Sequence, residues 1–314
     1  MNINLNFDKG KSLGYIIGGE YDGEILYVSM KEEKSKTSNK KKISMDDEDI
    51  LIEQLYKDMK GKVPLKRMEQ LRESIKDKQR PNNREMANYY DYYVKHINKN
   101  KNKEIVLKEG DLNPMFDMSV ERQVFMITGM SGSGKSTYTS HLVKAYHKQY
   151  PKNRVILFSN KDSDPVFDKL KYLKRVLIDE DLIEDPITLH ELKKTLVIFD
   201  DIEGNPSKKI NNELDRLRDL ILQQGRSYKC SFVYISHLAN NYKQTRTILN
   251  EANAITVFPA MTTRYALKYL LEKYFGFDKR DIDKLVRLPS RWITIYKAPT
   301  MVLYAKGCYL LNNF

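Results

Sequence analysis

From Glu121 onward, short runs of consecutive apolar residues alternate with longer segments whose apolar positions recur at helical spacing. The runs at 124–127 (VFMI), 154–159 (RVILFS), 195–199 (TLVIF), 231–236 (SFVYIS) and 254–258 (AITVF) are too short for core helices and rich in branched and aromatic residues. They predict strands buried on both faces of a parallel sheet. A weaker run at 175–178 predicts an edge segment. Between the strands, Tyr138, Leu142, Val143 and Tyr146, and then residues 211–224, follow the period of a helix. Strand, helix, strand, helix in this order predicts a doubly wound α/β fold. Further on, 264–274 predicts a helix with Leu267, Leu270 and Leu271 inward. Two β-like runs around Ala298-Pro299 predict a hairpin that extends the sheet. The bases Lys279, Arg280, Lys284 and Arg287 beside it are also compatible with phosphate contacts.

Residues 1–118 break this rhythm and predict a smaller α+β N-terminal module ahead of a main domain at 119–314. Two apolar runs around Tyr21-Asp22-Gly23 predict a β-hairpin over 14–28. The stretch 31–42 (KEEKSKTSNKKK) is nearly all polar and charged, which predicts a mobile loop. Helical periodicity over 46–79 is interrupted at Gly61 and Pro64. Tyr89, Tyr90, Tyr92 and Tyr93, followed by His96, Lys99, Lys101 and Lys103, read first as a tyrosine-bearing helix packed on the main domain. Stacking on a nucleic-acid single strand is the second reading.

The strand at 124–127 runs straight into Thr-Gly-Met-Ser-Gly-Ser-Gly-Lys-Ser-Thr and then a helix. Gly129, Gly134, Lys135 and Ser136 fill the pattern G-x-x-x-x-G-K-[ST]. Residues Gly129, Met130, Ser131, Gly132, Ser133, Gly134, Lys135, Ser136 and Thr137 are therefore the expected phosphate cradle, built from backbone N–H groups and the positive end of the following helix. Lys135 is expected on the β- and γ-phosphates of ATP, and the Ser136 hydroxyl on Mg²⁺. About sixty residues on, the run 195–199 ends in Asp200-Asp201 and is followed by Glu203. As the end of a buried parallel strand, it delivers these acids to the carboxyl edge of the sheet, where open α/β sheets bind ligands. Asp200 is the expected second holder of Mg²⁺, through a water. Asp201 is the expected orienter or base for the attacking water, with Glu203 as its runner-up.

At least one strand separates these two motifs in sequence, the arrangement of the additional-strand, RecA-like type of P-loop NTPase with a central, mostly parallel sheet. The strand 231–236 ends in Ser236-His237, which puts His237 between the motifs as a candidate γ-phosphate sensor. Arg226 and Arg246 flank that strand, and either is a candidate arginine finger for a neighbouring subunit.

Composition adds three constraints. The chain has 314 residues, 41% of them hydrophobic, room for a core of some 200 residues and a smaller unit. No apolar stretch approaches a membrane span, and the N-terminal residues lack the pattern of a signal peptide. Two cysteines are too few for a disulfide scaffold or a zinc site, which points to a reducing compartment. The formal charge of +12 favours a polyanionic partner such as nucleic acid.

The set GMSGSGKST, TLVIFDDIE, GRSYKCSFVYISH and YKQTRTILNEANAITVFP resembles the FtsK/HerA superfamily, and within it the DNA-packaging ATPases of large DNA viruses and their relatives. The resemblance covers about residues 105 to 260. It implies an ATP-driven homo-oligomeric ring that translocates double-stranded DNA, in the viral case into a capsid whose proteins are then partners, in the host cytoplasm or the virion. His237 stands where the family's sensor is usually Gln. Two other readings stay open: a small-molecule or nucleotide kinase, against which no arginine-rich lid is found, and a nucleotide-binding assembly or scaffold protein. An ABC-type subunit is disfavoured because no L-S-G-G-Q-like segment precedes Thr195.

Overall fold

The computed structural model describes residues 3–29, 69–71, 73–74, 79–84, 86–88, 90–91, 103–202, 205–237 and 242–311. The charged stretch 31–42, most of the helical segments at 46–79, Tyr89, Tyr92, Tyr93, His96, Lys99, Lys101 and Glu203 lie outside them.

Among the described residues, one sheet has ten strands and a second has four. Five strands of the large sheet carry the parallel pattern expected from the apolar runs: β6 (Val124–Thr128), β7 (Arg154–Ser159), β9 (Thr195–Asp200), β10 (Ser231–Ser236) and β11 (Ala254–Val257). Their parallel order is β11-β6-β10-β9-β7, closed at its outer edge by β8 (Leu173–Leu177). So β10 lies between the phosphate-loop strand and the acidic strand, as the additional-strand type requires. Beyond β11, the antiparallel strands β12 (Ile293–Lys297), β13 (Thr300–Tyr304), β14 (Gly307–Leu310) and β4 (Glu104–Val106) extend the sheet. The C-terminal hairpin is thus an extension of the sheet. Its third strand, β14, pairs with β4 from the N-terminal part of the chain.

Residue alternation along the central strands assigns the two faces. Val124 and Met126 of β6, with Val197, Phe199, Phe232 and Tyr234, join helices α3 (Lys208–Gln224), α4 (Tyr242–Glu251), α5 (Arg264–Phe275) and α6 (Lys279–Val286) in one core. Phe125 and Ile127, with Ile198 and Ile235, face the other way onto α1 (Lys135–Gln149) through Tyr138, Leu142, Val143 and Tyr146. Helix α2 (Asp181–Glu184) is a single turn. The small sheet, in the order β1 (Asn4–Asn6), β3 (Ile25–Ser29), β2 (Lys11–Ile17) and β5 (Asp111–Pro114), packs on the α1 face. Leu5, Leu13, Ile16, Leu26 and Val28 belong to the same buried cluster as Phe125 and Tyr146. The hairpin expected over 14–28 is β2 and β3. No helix among the described residues is long and apolar enough to cross a membrane. Cys230 and Cys308 are free and buried.

Candidate active site

Register lines up the carboxyl ends of the central strands. Thr128 pairs with Ser236, Asp200 with Ile235, and Ser159 with Asp200, so everything that follows these strands converges on one edge. Residues 129–134 turn there from β6 into α1. The loop is tied to β10 by Gly129 N–H donating to the Ser236 carbonyl (3.3 Å), and to the segment after β11 by Met130 N–H donating to the Met261 carbonyl (3.4 Å). Gly134 is the N-cap of α1 at φ 106°, a conformation that disfavours any side chain, and no side chain caps the helix. The amides of the first turn, which a helix cannot satisfy itself, are thus left for an anion. At Gly129 a Cβ would lie 2.9 Å from Ser133 Oγ and 3.0 Å from the Phe258 ring, so the loop closes on itself only with glycine there. Ser133 Oγ and Thr128 Oγ1 are buried without a hydrogen-bond partner. Met130, Ser131, Gly132 and Thr137 are exposed around the mouth. This geometry fits a polyphosphate. Gly134→Ala is therefore expected to weaken binding of a fluorescent ATP analogue by tenfold or more, since strain at such a φ costs about 1–3 kcal/mol.

Lys135 is buried, and its ammonium donates to the Gly129 carbonyl (2.7 Å), the Met130 carbonyl (3.0 Å) and His237 Nδ1 (3.3 Å). The other ring nitrogen of His237, Nε2, lies 3.2 Å from Asp201 Oδ1. Lysine can only donate and the ionised carboxylate can only accept, so the geometry selects the neutral Nε2–H tautomer of His237. His237 therefore joins the phosphate-loop lysine to the acidic strand, at the place between the motifs where the sequence put it.

Asp200 and Asp201 leave β9 differently. Asp200 ends the strand and is 4% exposed. Burial pushes its carboxyl up, with the charges of Asp201 and Asp164 acting the same way against Lys161 and Lys135. Asp201 adopts a left-handed φ of 55°, a turn that aspartate tolerates better than most residues and that swings its carboxylate toward His237. Burial works to raise this carboxyl too. The hydrogen bond from Lys161, helped by the charges of Lys161 and Lys135, outweighs it and holds Asp201 below its ordinary value.

Three groups of the segment after β7 and one from the C-terminal part complete the edge, and sequence motifs marked none of them as site residues. Lys161 Nζ lies 2.8 Å from Asp201 Oδ2, and Asn160 Nδ2 donates to the Asp201 carbonyl at 2.9 Å. Asp164 accepts from Ser136 Oγ at 3.2 Å, while its other oxygen accepts from the amides of Val166 and Phe167. Arg291 Nη2 donates to the Gly132 carbonyl at 3.3 Å. The position of 160–164 immediately beyond the carboxyl end of a parallel strand was the available signal.

Ser136 and Asp200 both reach this edge as oxygen donors. Among the described residues no group of three or more His, Cys, Asp or Glu side chains forms a metal cage. A hydroxyl and one or two carboxylates are the sort of partial oxygen set with which Mg²⁺ is held alongside substrate phosphates.

Of the two candidate fingers, Arg226 lies at the opposite edge of the sheet from this cluster. Arg226 sits in the turn before β10, beside Arg122 at the amino edge, about a strand length (~20 Å) from the phosphate loop of its own chain. Arg246 is exposed on α4.

No family model matches the chain. It is similar to the uncharacterized protein V3 of Sputnik virophage, 37% identical over 227 residues that span 70% of this chain and 89% of the relative. Among solved structures it is similar to B204, the DNA-packaging ATPase of Sulfolobus turreted icosahedral virus, with a TM-score of 0.44 and 16% identity over 60% of this chain and 98% of that one. It is also similar to the genome packaging NTPase B204 of Sulfolobus turreted icosahedral virus 2 in complex with AMPPCP, with a TM-score of 0.41 and 15% identity over 59% and 98% of the two chains.

Proposed function

We propose that this chain, which belongs to the same protein family as protein V3 of Sputnik virophage, is a Mg²⁺-dependent ATPase that drives double-stranded DNA, as a homo-oligomeric ring packaging a viral genome. The observation that carries the ATPase reading is the bridge Lys135–His237–Asp201, with contacts of 3.3 and 3.2 Å. It joins the group that binds phosphate to the group that can orient water, through the strand that lies between them.

In this reading the loop amides and Lys135 bind the triphosphate, and Ser136 and Asp200 would hold Mg²⁺, which would supply charge neutralisation on the phosphates. Asp201, kept ionised by Lys161, orients the water for in-line attack, with Glu203 as the other candidate for that task. His237 reports on the γ-phosphate because it touches both Lys135 and Asp201. An arginine from a neighbouring subunit, Arg226 or Arg246, stabilises transition-state charge. The net charge of +12 and the motif resemblance support DNA as the track, and capsid proteins as partners in the viral setting.

The test is ATP turnover with and without double-stranded DNA. Turnover that rises at least severalfold with duplex DNA, and falls back as salt is raised, is the expected result, because phosphate-backbone contacts are salt-sensitive. Turnover indifferent to DNA at low salt would remove the motor and leave the hydrolase.

A further inference from the structure

We infer that the C-terminal extension of the sheet is part of the nucleotide site, with Arg291 a positioning residue that holds the phosphate loop from its outer side. The inference rests on the ATPase reading above. The loop motif does not encode this contact, and 159 residues separate the two partners in sequence.

The guanidinium lies along the loop. Nη2 donates to the Gly132 carbonyl at 3.3 Å, and a Cβ on Gly134 would meet Arg291 Nε at 3.9 Å and the Phe258 ring at 3.6 Å. The side chain is exposed, but the backbone that carries it is fixed on both sides. Ser290 Oγ accepts from the amide of Ala305 (3.0 Å) and donates to the Trp292 carbonyl, closing the corner at the start of β12. The Trp292 ring packs edge-on against Tyr138, centroids 5.0 Å apart, in the first turn of α1. Tyr138 Oη is hydrogen-bonded to Thr294 Oγ1 at 2.6 Å, and Thr294 Oγ1 to Thr256 Oγ1 of β11 at 2.9 Å, all of it buried. Arg291, Trp292 and Thr294 thus reach the loop and its helix from one short stretch of chain.

Two consequences follow from this placement. The Gly132–Ser133 peptide, at the tip of the loop, has its orientation held by a charged donor on a rigid support. A full positive charge also stands beside the cradle before any bond of the substrate changes. Both effects act on the bound ground state and on the transition state alike, so they belong to nucleotide affinity and KM rather than to kcat. They act on ADP as well as ATP.

The experiment compares full-length wild type, R291A and R291K for binding of a fluorescent ADP analogue and for steady-state ATP turnover, with the melting temperature of the nucleotide-free protein as a control on folding. R291A is expected to bind the analogue about tenfold more weakly, the size of one charge-assisted hydrogen bond, with kcat within about twofold of wild type. R291K, which keeps the charge and loses the planar fork, is expected between the two. Should R291A lower the melting temperature by itself, R291K carries the comparison. Unchanged analogue affinity in R291A and R291K overturns the inference while leaving the ATPase reading intact. A loss of kcat at unchanged affinity also overturns it, because the arginine then acts in the transition state. A wild-type chain that binds no analogue overturns both readings together.

Discussion

Lys135→Ala is expected to weaken ATP binding and to lower turnover by at least about a hundredfold, the usual loss when one phosphate-directed charge is removed. Asp201→Asn is expected to leave binding nearly intact and to lower turnover by a similar factor, within the range of a general base. The split follows from where the groups stand. Lys135 is held inside the loop by the Gly129 and Met130 carbonyls, where bound phosphates would sit. Asp201 lies beyond His237, on the acidic strand's side, and acts only as water attacks. Equilibrium binding of a fluorescent ATP analogue beside single-turnover hydrolysis separates the two effects. If Asp201→Asn keeps full turnover, the base lies elsewhere, and Glu203→Gln is the variant to measure next. Full turnover in both acidic variants would end the assignment of a base to this strand.

The second large effect concerns assembly. Arg226 stands at the amino edge of its own sheet, so as a finger it requires a neighbour's phosphate, and Arg246, exposed on α4, is open to the same role. Alanine at the operative arginine is expected to lower kcat by about 10³ while ATP affinity barely moves. Specific activity should then rise with protein concentration, because complete sites exist only at subunit contacts. Mixing the Lys135→Ala chain with the arginine-deficient chain is expected to restore part of the activity, each supplying what the other lacks. Full, concentration-independent activity in a monomer, unaffected by both arginine substitutions, would favour the kinase reading over the ring motor.

The parts of the site that were legible share one physical property: their information is local. A phosphate loop must bend at Gly129 and Gly134 and must follow a strand and open a helix, and all of that lies within 124–146 of the chain. The acidic strand announces itself because a strand covered on both faces has to be apolar throughout, and the polar residues that end it stand out. Parallel pairing then sends both motifs to the same edge, so Lys135, Ser136, Asp200, Asp201 and His237 come together as their order along the chain implied. The N-terminal hairpin and the C-terminal sheet extension were legible for the same reason: each pairs residues close in sequence.

Other features depend on contacts between distant segments, which no local pattern carries. The pairing of β14 with β4 joins residues about 200 positions apart, and nothing in a three-residue strand such as Glu-Ile-Val identifies its partner. Lys161, Asp164 and Arg291 belong to no motif; the turn after β7 places the first two against Asp201 and Ser136, and the corner before β12 brings Arg291 to the loop. The sequence alone determined the α/β class, the glycine-bent turn from strand to helix at 129–134 and the strand that brings the acids, because glycine stereochemistry and two-sided burial constrain residue types directly. Only the tertiary structure decided what those acids and that loop lean on, because side chains meet there through register and packing across the sheet rather than through spacing along the chain.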